Sequence, residues 1–219
     1  MRIIENPELS EKIAAKLRDF RTFRNGGEIH RSDLIYCPRK AYFRIKGVEE
    51  KETDEGSVTK RRIGESLHVL FEVCQRKEVS VEKDGVVGSI DMLADPDLGY
   101  VDDPIELKST RAKLREPDWI EFAHPQWVDQ LMMACLFTGK LRGHLIVLQL
   151  ITGDLKTYTF SFTPEDLTKF WGRKLELLTM LRVALDTSDF SILPFGSWEC
   201  KNCGFTEPCL GVVKVASGR

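Results

Sequence analysis

The chain has 219 residues, of which 42% are hydrophobic and 30% charged, with a formal net charge of −2. That is the profile of an ordinary globular protein, long enough for one well-cored domain with at most a small satellite. No apolar run approaches the roughly 20 residues of a membrane span, and the opening MRIIENPELSEK lacks the apolar stretch of a signal peptide. A cytoplasmic location is therefore expected, without membrane association. In that compartment six cysteines point to metal ligation before a disulfide framework.

Charge is unevenly spread. Between Lys16 and Lys46 nine Lys and Arg face three Asp and Glu, a local balance of +6 that leaves −8 for the rest of the chain. A basic segment on a mildly acidic body suits a polyanion held against one face, although a solvated helix face reads the same way.

In chain order, NPELSEKIAAKLRDFRTFR predicts a helix with Asn6 as cap and Pro7 in its first turn, and NGGE breaks it. SDLIYCPRKAYFRI predicts a second helix from Ser32 with Pro38 inside it. GVEEKETDEGS is a polar loop. TKRRIGESLHVLFEVCQR carries apolar residues at 63, 67, 70, 71 and 74, a helical stripe. EVSVEK, the turn DG and VVGSIDMLA predict a β-hairpin. YVDDPIELKST follows as a third strand, and HPQWVDQLMMACLFTG as a helix ending at Gly139. GHLIVLQLI and LKTYTFSF flank TGD as a second hairpin. A long helix then starts at a capping box of Thr163 and Asp166. This order predicts an α/β or α+β fold around a mixed central sheet.

One strand pair carries the chemistry. Side chains alternate along a strand, so Glu106 and Lys108 share a face with Leu107 buried behind them, and the hairpin geometry can bring Asp91 alongside. Two carboxylates held that close repel unless a divalent cation lies between them. An adjacent lysine can then stabilise a phosphoryl transition state. Taken alone, E-x-K also describes an exposed polar strand face. Asp103 is the substitute should Asp91 not reach the site, while Asp95, Asp97 and Asp102 fall in turn sequence. His68 lies beside the apolar stripe of its helix, as a core histidine or a further ligand. A nitrogen ligand there would favour manganese over magnesium. Gln130 is placed to hydrogen-bond the lysine or a substrate.

At the C-terminus, ECKNCGFTEPC sets Cys200, Cys203 and Cys209 at spacings C-x2-C and C-x5-C. A closed thiolate site needs a fourth ligand, and Cys37, with a proline beside it like Cys209, is the natural partner. Four thiolates suit an iron–sulfur cluster or tetrahedral zinc. One distant cysteine plus three clustered ones matches a cluster better. Cys74 and Cys135 lie among apolar residues and are read as core.

The order GESLH, GSID, IELK and HPQWVDQL resembles the RecB-type branch of the PD-(D/E)XK nucleases. With YCPRKAYFR and the C-terminal cysteine set, it resembles the CRISPR-associated iron–sulfur exonucleases, the Cas family numbered four, over residues 31 to 209. The resemblance implies a restriction-endonuclease-like core and metal-dependent DNA cleavage, mainly exonucleolytic on single strands. It implies Asp91, Glu106 and the Leu107 carbonyl as ligands of Mn2+ or Mg2+, His68 as an additional ligand, Lys108 as catalytic lysine and Gln130 as the glutamine of a Q-x-x-x-Y motif. That motif is broken here, because Ala134 stands where the tyrosine would be. The cluster would be [4Fe–4S], with [2Fe–2S] the alternative, and the setting would be spacer capture with CRISPR integrase proteins as partners. Arg39, Lys40, Tyr42 and Arg44 are expected to contact phosphates and stack on bases. Three parts follow: a basic helical lobe (1–58), a nuclease core (59–190) and a C-terminal cysteine segment (191–219). Two other readings stand beside this one: a RecB-like nuclease of repair or recombination, and a non-catalytic DNA-binding module with a four-cysteine zinc site.

Overall fold

The computed structural model describes residues 27–51, 66, 74–113, 120, 123–196, 200 and 203–211. The predicted helices over 6–24 and 59–76 fall outside those residues almost entirely. Six strands, β1 (Ile29–His30), β2 (Arg76–Lys83), β3 (Val86–Leu93), β4 (Pro104–Thr110), β5 (Arg142–Gln149) and β6 (Leu155–Ser161), form one mixed sheet. Among the described residues four α-helices accompany it: α1 (Pro38–Ile45), α2 (Pro125–Thr138), α3 (Pro164–Thr187) and the short α4 (Thr206–Leu210). Among the described residues no helix is long and apolar enough to cross a membrane.

Local chemistry accounts for most of these boundaries. Asp84 and Gly85 both take positive φ, 53° and 73°, the conformation a two-residue hairpin turn demands, and they join β2 to β3. Gly139 ends α2 in the left-handed conformation. The capping box of α3 is present, with Asp166 N–H donating to Thr163 Oγ1 and Thr163 N–H donating to Asp166 Oδ2. The helix expected from Ser32 is instead two elements. A 3-10 turn over Arg31–Leu34 precedes α1, which starts at Pro38 itself. Proline fits a first helical position because it has no N–H to leave unpaired, whereas inside a helix it would break one.

The pairing pattern opens a gap in the sheet. β2 pairs antiparallel with β3 from Val86 to Leu93, with a break at Glu78 and Asp91, taking one edge. The other edge is shared: β1 pairs parallel at Val86 and Val87, and β4 pairs antiparallel only at Met92 and Leu93. Residues 88–91 are therefore left without a strand partner on that side. β4 and β5 run parallel, with Glu106 opposite Leu145 and Lys108 opposite Val147. Leu145 and Val147 pack with Trp127, Leu131 and Cys135 of α2. Leu107 and Ile146 point to the other face, with Met92 and Ile105. Glu106 and Lys108 thus lie on the face that α2 covers, and not on a solvated one.

Helix α3 packs over α2 and α1, joining Phe170, Trp171, Leu178 and Leu181 with Met133 and with Ala41, Tyr42 and Phe43. Gly143 lies under α2 with no room for a side chain, since a Cβ there would lie 2.8 Å from Leu131 Cδ1 and 2.9 Å from Cys135 Sγ. Gly143→Val should therefore destabilise the fold by about 1–3 kcal/mol through overpacking. Thermal denaturation should show this as a fall in Tm of about 2–4 °C for each kcal/mol at this chain length.

Candidate active site

The gap between β1 and β4 is the floor of a cleft of about 660 Å3. Arg31, Gly88, Asp91, Glu106, Lys108 and Gln130 all line it. Asp91 sits one residue before β3 and β4 come together, and its Oδ2 accepts the Leu107 N–H at 2.8 Å. That bond fixes the aspartate beside Glu106. Asp103 is engaged elsewhere, with Arg142 at 2.5 Å and His144 at 3.4 Å, and does not line the cleft. Asp91 is the carboxylate that reaches the pair.

Glu106 is the most constrained group of the site. Only 1% of it is exposed. Arg31 Nη2 donates to Oε1, and Lys108 Nζ donates to Oε2 at 3.1 Å. Burial pushes the Glu106 carboxyl up, but the Arg31 guanidinium and then the Lys108 ammonium more than offset this, holding it below the usual carboxylate range. Burial likewise pushes Lys108 down, and Glu106 and Asp91 more than offset that, holding the ammonium above the usual lysine range. Both groups are charged at neutral pH in a water-poor setting, where charge acts most strongly.

Gln130, on α2, donates from Nε2 to the Tyr36 hydroxyl at 3.0 Å. Its Oε1 is buried without a hydrogen-bond partner among the described residues. Tyr36 also acts electrostatically on Lys108. A tyrosine therefore does meet Gln130, but it comes from the segment before Cys37. Ala134, where the motif has its tyrosine, is fully buried against Ile90 and Leu93. Tyr36 and Arg31 are the site residues that sequence reasoning missed. Their one signal was position, in a segment already singled out as basic, with Tyr36 beside the candidate cysteine.

His68 lies outside the described residues. Among those residues no three His, Cys, Asp or Glu side chains stand as a ready-made metal site. The hard oxygen donors Asp91 and Glu106 nevertheless suit Mg2+ or Mn2+, with Arg31 and Lys108 supplying the positive charge around Glu106 here.

The cysteine segments dock against each other. Gly196 lies so close to Cys37 that a Cβ there would come within 3.0 Å of its Sγ. The Cys200 thiol donates to the Gly196 carbonyl at 3.1 Å. Cys203 and Cys209 pack against the core that holds Phe43 and Phe205, whose rings stack 5.8 Å apart. Lys51 N–H donates to the Gly204 carbonyl at 3.2 Å, and its side chain pairs with Glu207. Burial raises the Cys203 thiol, with Lys40 lowering it and Cys37 raising it from nearby. Cys74 and Cys135 are buried, as expected of core residues, and burial pushes the Cys135 thiol up to about 12.

The residues expected to contact DNA are largely occupied. Tyr42 is buried, edge-on to Phe43 at 5.3 Å and tilted against Phe190 at 5.8 Å, so the base-stacking role read from the sequence is corrected: the ring is core. Arg39 lies over the rings of Phe190 and Phe195 and donates to the carbonyls of Leu193 and Ser191. Arg44 binds Asp33 at 2.6 Å and the Glu28 carbonyl at 2.9 Å. Lys40 makes an exposed pair with Glu50. The positive charge of residues 31–46 thus serves mainly to join parts of the protein.

No family model matches the chain, and no curated protein matches it. Among solved structures it is similar to the crystal structure of SSO0001, at 19% identity and a TM-score of 0.58, over 94% of this chain and 98% of that one. The two share a fold. Alignments to an alkaline exonuclease, LHK-Exo, from Laribacter hongkongensis (13% identity, TM-score 0.48, 81% of this chain and 95% of that one) and to a phage-related exonuclease from Haemophilus somnus 129PT (12%, 0.47, 74% and 96%) are looser.

Removing the Glu106 charge should leave Arg31 buried without its carboxylate and Lys108 with Asp91 alone, a loss of about 3–5 kcal/mol. The folded carboxyl is depressed, so its contribution is fully present above the ordinary carboxylate pKa, 4.5, and is lost as pH falls through the folded value. The Tm gap between wild type and Glu106→Gln should be widest at neutral pH and should narrow below about pH 4.

Proposed function

We propose that this protein is a divalent-metal-dependent DNA nuclease, acting mainly as an exonuclease on single strands, whose four cysteines carry an iron–sulfur cluster. The observation that carries the reading is the meeting of Asp91, Glu106 and Lys108 in one cleft, with Lys108 held charged by both carboxylates. A phosphodiester needs that combination: oxygen donors for a cation and a fixed positive charge for the developing negative charge on phosphate.

Asp91 and Glu106 would hold the cation, with His68 and the Leu107 carbonyl completing the set. When bound, it supplies Lewis-acid charge to the phosphate and makes the attacking water more acidic. Lys108 sits beside both carboxylates, where its ammonium can stabilise negative charge on the phosphoryl oxygens as water attacks. Gln130, its amide plane fixed through Tyr36, forms part of the cleft wall. Leu107 N–H holds Asp91 in place throughout, so that little reorganisation is needed when the strand enters.

Cys37, Cys200, Cys203 and Cys209 suit a cluster by donor chemistry, and the contacts of Gly196 with Cys37 and of Gly204 with Lys51 support a shared lobe for both halves of the set. We assign a structural role to it, with [4Fe–4S] preferred to [2Fe–2S]. The biological setting we infer is CRISPR adaptation, trimming DNA fragments for integrase partners. Zinc in the same four thiolates would instead fit a DNA-binding module.

With labelled single-stranded DNA and Mn2+, Asp91→Ala and Lys108→Ala should each lose activity by at least about a hundredfold, and full activity in either would exclude this site. Anaerobically purified wild type should be brown, with absorbance near 400 nm. Cys37→Ala should lose that colour and iron content and melt lower, whereas colourless protein with stoichiometric zinc would remove the cluster.

A further inference from the structure

Arg31 is placed where a surface arginine would not be. It leaves the sheet just after β1, and its stem crosses β3 at Gly88, where a Cβ would lie 2.9 Å from Arg31 Cγ and 3.0 Å from Cδ. The side chain is 10% exposed. One end of the guanidinium donates to Glu106 Oε1 and the other to the Gln130 carbonyl at 3.4 Å. Arg31 therefore holds the oxygen of Glu106 that Lys108 does not, and it lines the same cleft.

We propose that Arg31 is an exchangeable counter-ion of the site: it neutralises Glu106 while no divalent cation is bound, and transfers to a phosphate of the DNA strand when the cation takes the carboxylate. This rests on the nuclease reading above. Arg31 and Lys108 balance Asp91 and Glu106, and the exposed Glu28 and Glu82 are the further carboxylates that line the cleft. A divalent cation adds two charges to a buried site, which is costly unless an anion enters too. A phosphate backbone is that anion, and the guanidinium fork fits its oxygens in pairs. The exchange depends on cation and substrate. Gly88 gives the side chain room along its path, and the cleft gives it somewhere to turn. Cation binding and strand binding then reinforce each other, and an empty site does not hold a loose, strongly binding carboxylate pair.

The test compares Mn2+ binding in the absence of DNA, by calorimetry or by loss of the free-ion EPR signal, with single-strand turnover at saturating Mn2+. Both are measured on full-length wild type, Arg31→Gln, Arg31→Lys and Asp91→Ala. Arg31→Gln should bind Mn2+ about tenfold more tightly, because a charged hydrogen-bonded competitor is gone, while turning over single strands about tenfold or more slowly. Arg31→Lys should fall between it and wild type on both measures, and it decides the matter if the glutamine variant folds poorly. A merely structural arginine would weaken both properties together. Unchanged or weaker Mn2+ binding in the Arg31 variants, or unchanged turnover, would overturn the proposal while leaving the nuclease reading in place. Asp91→Ala should lose Mn2+ binding. If it does not, the nuclease reading itself fails, and the exchange proposal with it.

Discussion

An ionised carboxylate sealed from water has to be matched by charge at close range, and Glu106 is matched from two directions. Lys108 comes from the same strand, two residues along. Arg31 comes from 75 positions away, carried in by β1 and the 3-10 turn that follows it. The sheet is built to allow this. β1 and β4 split one edge of β3 between them, and the guanidinium enters through the interval they leave. Gly88 keeps that interval open. Register, glycine position and charge pairing are three descriptions of one constraint.

The segment from Arg31 to Cys37 connects the cleft to the cysteine lobe. Arg31 reaches Glu106 and Tyr36 reaches Gln130, while Cys37 lies against Gly196 in the cysteine lobe. Whatever orders that lobe also places two groups of the cleft. Basic residues farther along the chain join the same regions, since Arg39 ties down the 190–195 segment and Arg44 ties down Asp33 and Glu28. A cluster in the lobe would then act on cleavage through position and not through electron transfer.

Much of this was legible in the sequence, for identifiable reasons. Strand alternation, the Asp84–Gly85 turn, the Thr163–Asp166 box and Gly139 are local signals, and each marks an element boundary found in the fold. The placement of Glu106 and Lys108 on one face followed from the two-residue strand period. Contacts that depend on distant chain segments were not legible. Nothing local distinguishes Arg31, which neutralises a buried glutamate, from Arg39, which caps carbonyls. Tyr42 looked suited to stacking on bases because its neighbours are basic, yet it packs in an aromatic core. The break in the glutamine motif at Ala134 looked like a loss until the fold put Tyr36 beside Gln130. Pro38 misled in the other direction, since a proline inside an apparently continuous helical pattern was the start of a new helix.

If Asp91 and Glu106 form a cation site that shares Glu106 with Arg31, crystals soaked in Mn2+ and measured at the manganese absorption edge should show an anomalous peak between the two carboxylates, with the Arg31 guanidinium moved off Glu106. A peak only elsewhere, or no peak with Arg31 still on Glu106 at saturating Mn2+, would rule that site out.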